Sequence, residues 1–305
     1  MLVTAYSDID AIQDAIASSI SSFVLKPWKP AQLVQEIDKT LEAVTAKRNN
    51  RRYLKEIEQQ LQAAGEFQRR LLRIPNLENA GITVDVAYRP VEGLYCSGDY
   101  YDVIPLDEDR HLLLLGDVSG HGVKPAFITG ILKLLSGRIA REQSGASYSP
   151  AQFLEALSRS MFVELNNYAD VLISLAAVLL DTKSGEAVIA SAGHSPVCTI
   201  RDEQCELWSP HGTAMGFNVL SELEEIRLSI SPGDHVVMFT DGLWDVAGGD
   251  VSPKPFLRSV FSRAARSADF LKTVDRLLTA VSIVHGTGHA PVFRDDVTIF
   301  SARIL

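Results

Sequence analysis

The spacing of hydrophobic positions changes twice along the chain, and the changes divide it into residues 1–46, 47–75 and 76–305. In the first stretch Leu2 to Ala5 is a short apolar start, and Ile9, Ile12, Ile16 and Ile20 follow at helical spacing. Phe23 to Leu25 reads as a second strand closed by Lys26-Pro27. Pro30 stands where a helix would begin, with Leu33, Val34, Ile37, Leu41 and Val44 on one face. The expectation is strand, helix, strand, helix. From about Thr40 to Leu72 there is no proline, and Gly65 is the only glycine. Leu54, Ile57, Leu61, Ala64 and Leu71 recur in steps of three and four, with Gln68 as a polar interruption. This stripe is out of phase with the earlier one, and a slip between Arg48 and Tyr53 would reconcile them. Two readings stay open: a two-stranded helix joining a dimeric input to an output domain, or one connecting helix whose stripe packs on its own domain. Pro75 is expected to end it.

From Gly81 onward the period is that of antiparallel sheet. Ile82, Val84 and Val86 alternate. Tyr100 to Leu106, the turn Asp107-Glu108-Asp109, and His111 to Leu115 predict a hairpin, and Val171 to Leu180 with Ala187 to Ser191 predict another. Between them Lys124 to Arg141 reads as a helix with Phe127, Ile128, Ile131, Leu132 and Leu135 on one face. Ser149-Pro150 then caps a second helix through Phe153, Leu157, Met161 and Leu165. His235 to Thr240 reads as a buried strand, a last helix is placed near Ala268 to Val284, and Val297 to Ser301 is a closing strand. Strand runs, a helix pair and more strands predict an α+β fold, an antiparallel sandwich flanked by helices.

No apolar run is long enough for a membrane helix, and no basic region followed by an apolar stretch opens the chain, so a cytoplasmic protein is expected. Cys96, Cys198 and Cys205 are odd in number and lack CxxC spacing, which favours free thiols over disulfides or a zinc site. A formal net charge of −9 argues against nucleic acid as partner. A phosphorylated protein stays open, since a local cation can reverse the field at one site.

Four acidic positions share one setting, an aspartate at a strand end beside glycine or a second acid: Gly98-Asp99, Gly116-Asp117, Asp241-Gly242 and Asp295-Asp296. If those strands share one sheet system, the acids can meet at a single rim, where they would repel unless cations neutralise them. An all-oxygen donor set suits Mg2+ or Mn2+, and two such ions can activate a water and clamp a phosphoryl group.

The segments SGDYYD at 97–102, GDVSGHG at 116–122, SAGHSP at 191–196, FTDGLWD at 239–245 and RDDVTIF at 294–300 occur in the order and rough spacing of the metal-dependent (PPM-type) serine/threonine phosphatases. Residues 66–305 resemble most the SpoIIE-like bacterial branch, and EFQRRLLRIP resembles that branch's regulatory linker. The resemblance implies an antiparallel β-sandwich with a two-metal Mg2+ or Mn2+ site and dephosphorylation of phosphoserine or phosphothreonine, often on anti-sigma-factor antagonists. It implies that Asp117 bridges the metals, that the Val118 carbonyl completes one shell, that Asp241 and Asp295 hold the first metal, and that Asp99 reaches the second through water. Asp296 is the alternative to Asp295, since a one-residue slip exchanges their faces.

Two departures from the eukaryotic relatives are expected to matter. Ser119 stands where those have a histidine proton donor, with His121 two residues on, and Tyr95 stands where they have a phosphate-gripping arginine. His194 could line the site, although a histidine in such a turn more commonly braces it through a backbone hydrogen bond. His285 and His289 flank a Gly-Thr-Gly loop, and Trp244 reads as a packing anchor. The first stretch resembles the last third of a response-regulator receiver domain, with Thr4 and Lys26-Pro27 at its signature positions. It lacks the acidic pair and phospho-accepting aspartate, so it is not expected to take a phosphoryl group. A homodimer through the helical linker is the assembly that the first of the two linker readings implies. The competing reading is a signalling scaffold that binds such a partner with negligible turnover.

Overall fold

The computed structural model describes residues 2–4, 23–77, 80–91, 93–143, 145, 148–165, 171–216, 219–243, 253–267, 269–276 and 295–305. The chain divides into two compact units, residues 1–60 and 61–305. In the first, β1 (Leu2–Thr4) pairs in parallel with β2 (Phe23–Leu25). The predicted helix between them lies outside the described residues. Helix α1 (Pro30–Leu71) begins at the predicted proline and runs unbroken through Arg48 to Tyr53. Its apolar positions Val34, Leu41, Val44, Leu54 and Ile57 are all more than half exposed. The division between units falls inside α1.

The second unit is a two-sheet sandwich. One sheet has the order β10 (Glu225–Ser229), β7 (Glu186–Ala192), β6 (Ile173–Asp181), β5 (Arg110–Val118), β4 (Asp99–Pro105). The other runs β3 (Ile82–Arg89), β12 (Val297–Ile304), β11 (His235–Phe239), β8 (Val197–Arg201), β9 (Gln204–Trp208). Every pairing in both sheets is antiparallel. One core cluster draws Leu112 and Leu114 from the first sheet and Val236, Met238 and Phe300 from the second. Helices α2 (Val123–Glu142) and α3 (Pro150–Glu164) pack on the first sheet, which buries β5 on both faces. Leu112 to Leu115 are accordingly all buried, which is why that strand reads as a continuous apolar run instead of an alternation. The second sheet's outer face is covered by α4 (Pro253–Ala264) and the helical residues 270–276, through Phe261, Phe270 and Val274. The rest of the predicted last helix lies outside the described residues.

Local chemistry sets the junctions. Ser149 Oγ accepts the Gln152 N–H at 3.1 Å, the predicted cap of α3. Gly120 and Gly122 take φ of 93° and 88°, so the chain can turn sharply from β5 into α2. Phe127 departs from expectation: it is 73% exposed, because α2 turns Ile128, Leu132, Leu135 and Ile139 to the sheet. Free thiols at Cys198 and Cys205 are also corrected, since the two are joined in a disulfide and Cys96 alone is free. The register explains the bond. Cys198 faces Leu207 and Cys205 faces Ile200, so the cysteines are diagonal neighbours on one face of the β8–β9 hairpin.

Candidate active site

The strand register aligns what the sequence scatters. Asp99 on β4 stands opposite Asp117 on β5, and Asp117 stands opposite Ser174 on β6. Directly opposed residues of an antiparallel pair project to the same face, so Asp99, Asp117 and Ser174 form one polar rung at the end of the sheet. Asp241 follows β11, and Asp295 precedes β12 in the facing sheet. Asp117 and Asp241 line one cleft of ≈ 210 Å³ with Ser119, Ser174 and His194. A larger hollow of ≈ 370 Å³ lies along β8 and β9. Its one cationic side chain that is always charged, Arg201, already pairs with Asp234 at 2.6 Å, and none of the four strand-end acids lines it, so we assign the chemistry to the smaller cleft.

Electrostatics give the rung its character. Burial pushes the Asp117 carboxyl up to about 7, and repulsion from Asp241, Asp295 and Asp296 adds to the shift. Asp99 is buried and also lies well above the usual carboxylate range, through burial first and the Asp117 charge second. Its Oδ2 accepts from Thr298 Oγ1 at 2.5 Å and Thr240 Oγ1 at 3.2 Å, while its Oδ1 is shielded from solvent and has no hydrogen-bond partner.

These features bear on whether a cation fits. Among the described residues no three carboxylate, imidazole or thiol side chains stand ready to hold one ion by themselves. Mg2+ does not require that, because it keeps several waters and takes one or two carboxylates. The backbone leaves room: a Cβ on Gly98 would sit 2.4 Å from the Val118 carbonyl oxygen and 3.2 Å from Asp117 Oδ1. The missing side chain thus keeps open a space bordered by two oxygen donors. Together with the orphaned Oδ1 of Asp99, opposite Asp117 in the register, this all-oxygen donor set fits a hydrated hard cation.

The adjacent acids at 295 and 296 have different surroundings. Asp296 is buried, its Oδ1 accepting the Val91 N–H at 2.7 Å and its Oδ2 the Gly98 N–H at 2.9 Å. Asp295 is exposed and accepts the Asp296 N–H at 2.8 Å. Asp296 therefore ties down the loop that presents Asp99. A second tie comes from Gln68. Its Nε2 donates to Ser97 O at 2.8 Å and Thr129 Oγ1 at 3.0 Å, and its Oε1 accepts from Ser97 N and Tyr88 OH. The polar interruption in the α1 stripe is thus a fully satisfied buried amide.

The profile of the family described as Stage II sporulation protein E (SpoIIE) matches residues 107–305. The chain belongs to the SpoIIE family. Phosphoserine phosphatase RsbP of Bacillus subtilis is 27% identical over 190 residues, covering 61% of this chain and 45% of RsbP. Protein IcfG of Synechocystis is 25% identical over 196 residues, covering 57% of this chain and 30% of IcfG. The chain spans less than half the length of both. Among solved structures, the SiaA-PP2C domain of Pseudomonas aeruginosa superposes with TM-score 0.67 at 21% identity, covering 82% of this chain and 98% of that domain. The SpoIIE phosphatase domain with a fragment of its regulatory domain, from Bacillus subtilis, gives 0.61 at 17% identity, covering 73% of this chain and 61% of that one. The fold is that of the PP2C phosphatases, as the motif order implied.

Within this SpoIIE-type site the expected substitutes for the eukaryotic groups are differently employed. Ser119 Oγ accepts the Leu172 N–H at 2.9 Å, which holds it as a strut in the cleft wall. His121 is exposed, and Tyr95 takes φ of 60° in the loop before Asp99. The His194 ring does not brace its turn through a backbone hydrogen bond: Nδ1 pairs with Ser174 Oγ at 2.8 Å. Trp244, His285 and His289 lie outside the described residues. Sequence reasoning missed Ser174 and Thr298, polar residues inside apolar strands, and Thr240, which directly follows one. That placement was the available signal, since a buried hydroxyl needs a partner.

Proposed function

We propose that this chain is a metal-dependent phosphoserine/phosphothreonine protein phosphatase of bacterial signalling. The observation that carries the reading is the Asp99–Asp117–Ser174 rung, with Asp241 lining the same cleft and Asp295 electrostatically coupled to Asp117. Asp117, the Val118 carbonyl, Asp241 and Asp295 are the groups we assign to two Mg2+ or Mn2+ ions, with Asp99 acting through water. When bound, such ions supply Lewis acidity toward phosphoryl oxygens and lower the pKa of a coordinated water. The chain's own residues set the geometry. Thr240 and Thr298 fix the Asp99 carboxylate, Asp296 anchors the loop at Gly98, and Gly98 keeps the Val118 carbonyl accessible. Asp296 is accordingly the structural member of its pair and Asp295 the ligand.

The substrate we propose is a phosphorylated anti-sigma-factor antagonist, in keeping with the similarity to phosphoserine phosphatase RsbP. Residues 1–46 are read as a receiver-like input segment, residues 47–75 as a helical linker that dimerises through its exposed stripe, and residues 76–305 as the phosphatase domain in the cytoplasm. No nucleic acid or membrane partner is invoked; none of the described helices is long and apolar enough to cross a membrane.

Full-length protein incubated with Mn2+ and p-nitrophenyl phosphate, then with phospho-antagonist proteins of the same genome, should release phosphate. Chelation, Asp117→Asn or Asp241→Asn should stop it. Turnover that survives chelation refutes the mechanism. The scaffold reading is favoured by Tyr95 in place of an arginine, and it predicts binding of the phosphoprotein with no release.

A further inference from the structure

His194 has no task in the reading above, yet the fold holds it with care. It follows Gly193, which takes φ of 69° and lies so close to residues 213–214 that a Cβ would meet Ala214 N at 2.6 Å. The His194 N–H donates to Ser191 Oγ at 3.0 Å, which fixes the turn. Ring Nδ1 lies 2.8 Å from Ser174 Oγ, and Ser174 shares its rung with Asp117. The residue lines the cleft and part of it reaches solvent, while Nε2 is shielded and has no hydrogen-bond partner among the described residues. A polar atom held in that state in a cleft wall is a group prepared for something else to satisfy.

The occupant follows from chemistry. Burial lowers the His194 pKa to about 4, so the ring is neutral near pH 7. A neutral imidazole has one donor and one acceptor nitrogen. In the tautomer in which the Ser174 hydroxyl donates to Nδ1, the proton resides on Nε2 and the free edge is a donor. Among the described residues no arginine or lysine lines that cleft.

We propose that His194, oriented by Ser174, donates a hydrogen bond from Nε2 to an oxygen of the phosphoryl group, in a cleft whose described lining has no cationic side chain. This rests on the cleft being the phosphoryl site. Ser174 is then a positioning residue, and His194 a binding one that acts as a neutral donor and transfers no proton.

The test measures inorganic phosphate binding to the full chain in saturating Mg2+, by calorimetry, beside kcat and KM for p-nitrophenyl phosphate. His194→Ala should weaken phosphate binding about 10- to 100-fold, the range for a hydrogen bond to a charged group, with Mg2+ affinity unchanged. His194→Gln, which keeps an N–H donor, should recover part of the loss, and Ser174→Ala should lose less than His194→Ala. Long-range 15N–1H spectra of the wild type give a readout that needs no variant to fold: an Nε2–H tautomer whose resonance moves on adding phosphate. Unchanged phosphate affinity in folded His194→Ala, an Nδ1–H tautomer, or no phosphate binding by wild type each overturns the inference. Phosphate binding without turnover would sink the enzymatic reading and leave this one standing.

Discussion

Asp117→Asn tests the central electrostatic claim, because it should cost the protein its metal response yet stabilise the metal-free domain. The Asp117 carboxyl is raised from 3.8 to about 7. At about 1.36 kcal/mol per unit, that is on the order of 4 kcal/mol of destabilisation once the group is ionised. Between those two values the folded state holds a proton that the unfolded chain has released, so stability falls as pH rises and the penalty is complete above about 7. Asparagine keeps the shape and removes the charge. In chelator at about pH 8 the variant should be more stable than wild type. Even half the full figure corresponds to a melting temperature about 4–8 °C higher. Near pH 4 the difference should vanish.

His111, His194 and His235 complicate an absolute profile. Burial lowers all three, so they lose stability as pH falls, opposite to Asp117. They are common to both proteins and cancel in the difference. Mg2+ at about 1,000 times its Kd should then close the gap, since it adds about 4.1 kcal/mol to wild type alone. Thermal unfolding followed by circular dichroism, with chelator and with Mg2+ at each pH, supplies every value needed. A variant less stable than wild type in chelator at about pH 8, or a gap that does not close toward pH 4, refutes the reasoning.

Three further outcomes are expected. Asp296→Ala removes the acceptor for Val91 N and Gly98 N and should cost about 2–4 kcal/mol of stability, whereas Asp295→Asn should leave stability nearly unchanged and weaken Mg2+ binding, both read by thermal shift with and without metal. Gly98→Ala places a Cβ 2.4 Å from the Val118 carbonyl oxygen and should destabilise by about 1–3 kcal/mol while abolishing the Mg2+-induced shift. Leu54→Glu with Ile57→Glu should convert a dimer to a monomer in light scattering without altering phosphatase-domain melting; a wild-type monomer ends the dimer proposal.

The parts legible in the sequence were those written in local grammar. The sharp ends of apolar runs at Gly116-Asp117 and Asp241-Gly242, the Ser149-Pro150 cap and the two long hairpins all depend on neighbours within a few residues. The cysteine pair was not legible, because its bond depends on the β8–β9 register. That register turns on Asp202 and Glu203, which take φ of 47° and 65° without a glycine to announce a tight hairpin turn. Helix α4 went unread although Leu257, Val260, Phe261 and Ala264 keep its period; its proline-containing start masked the pattern. Nor could the chain alone distinguish Asp295 from Asp296, since both precede the same strand and only the partners of their oxygens differ.

That last distinction exposes a division of labour among the acids. Asp99 and Asp296 are buried and spend oxygens on hydroxyls or backbone amides, so they are fixed points of the site. Asp117, Asp241 and Asp295 are more exposed, and Asp241 and Asp295, with Asp296, add repulsion to the burial that raises Asp117. A cluster built for stability alone would bring the second group no closer than its hydration allows. Holding these acids near one another, with Gly98 keeping a carbonyl oxygen open beside them, costs free energy in the empty site. A divalent ion returns that energy on binding, so affinity for the ion is set by how rigidly the fixed acids hold the repelling ones. Loosening Asp296 should therefore weaken metal binding even with Asp295, as proposed, the ligand of the pair.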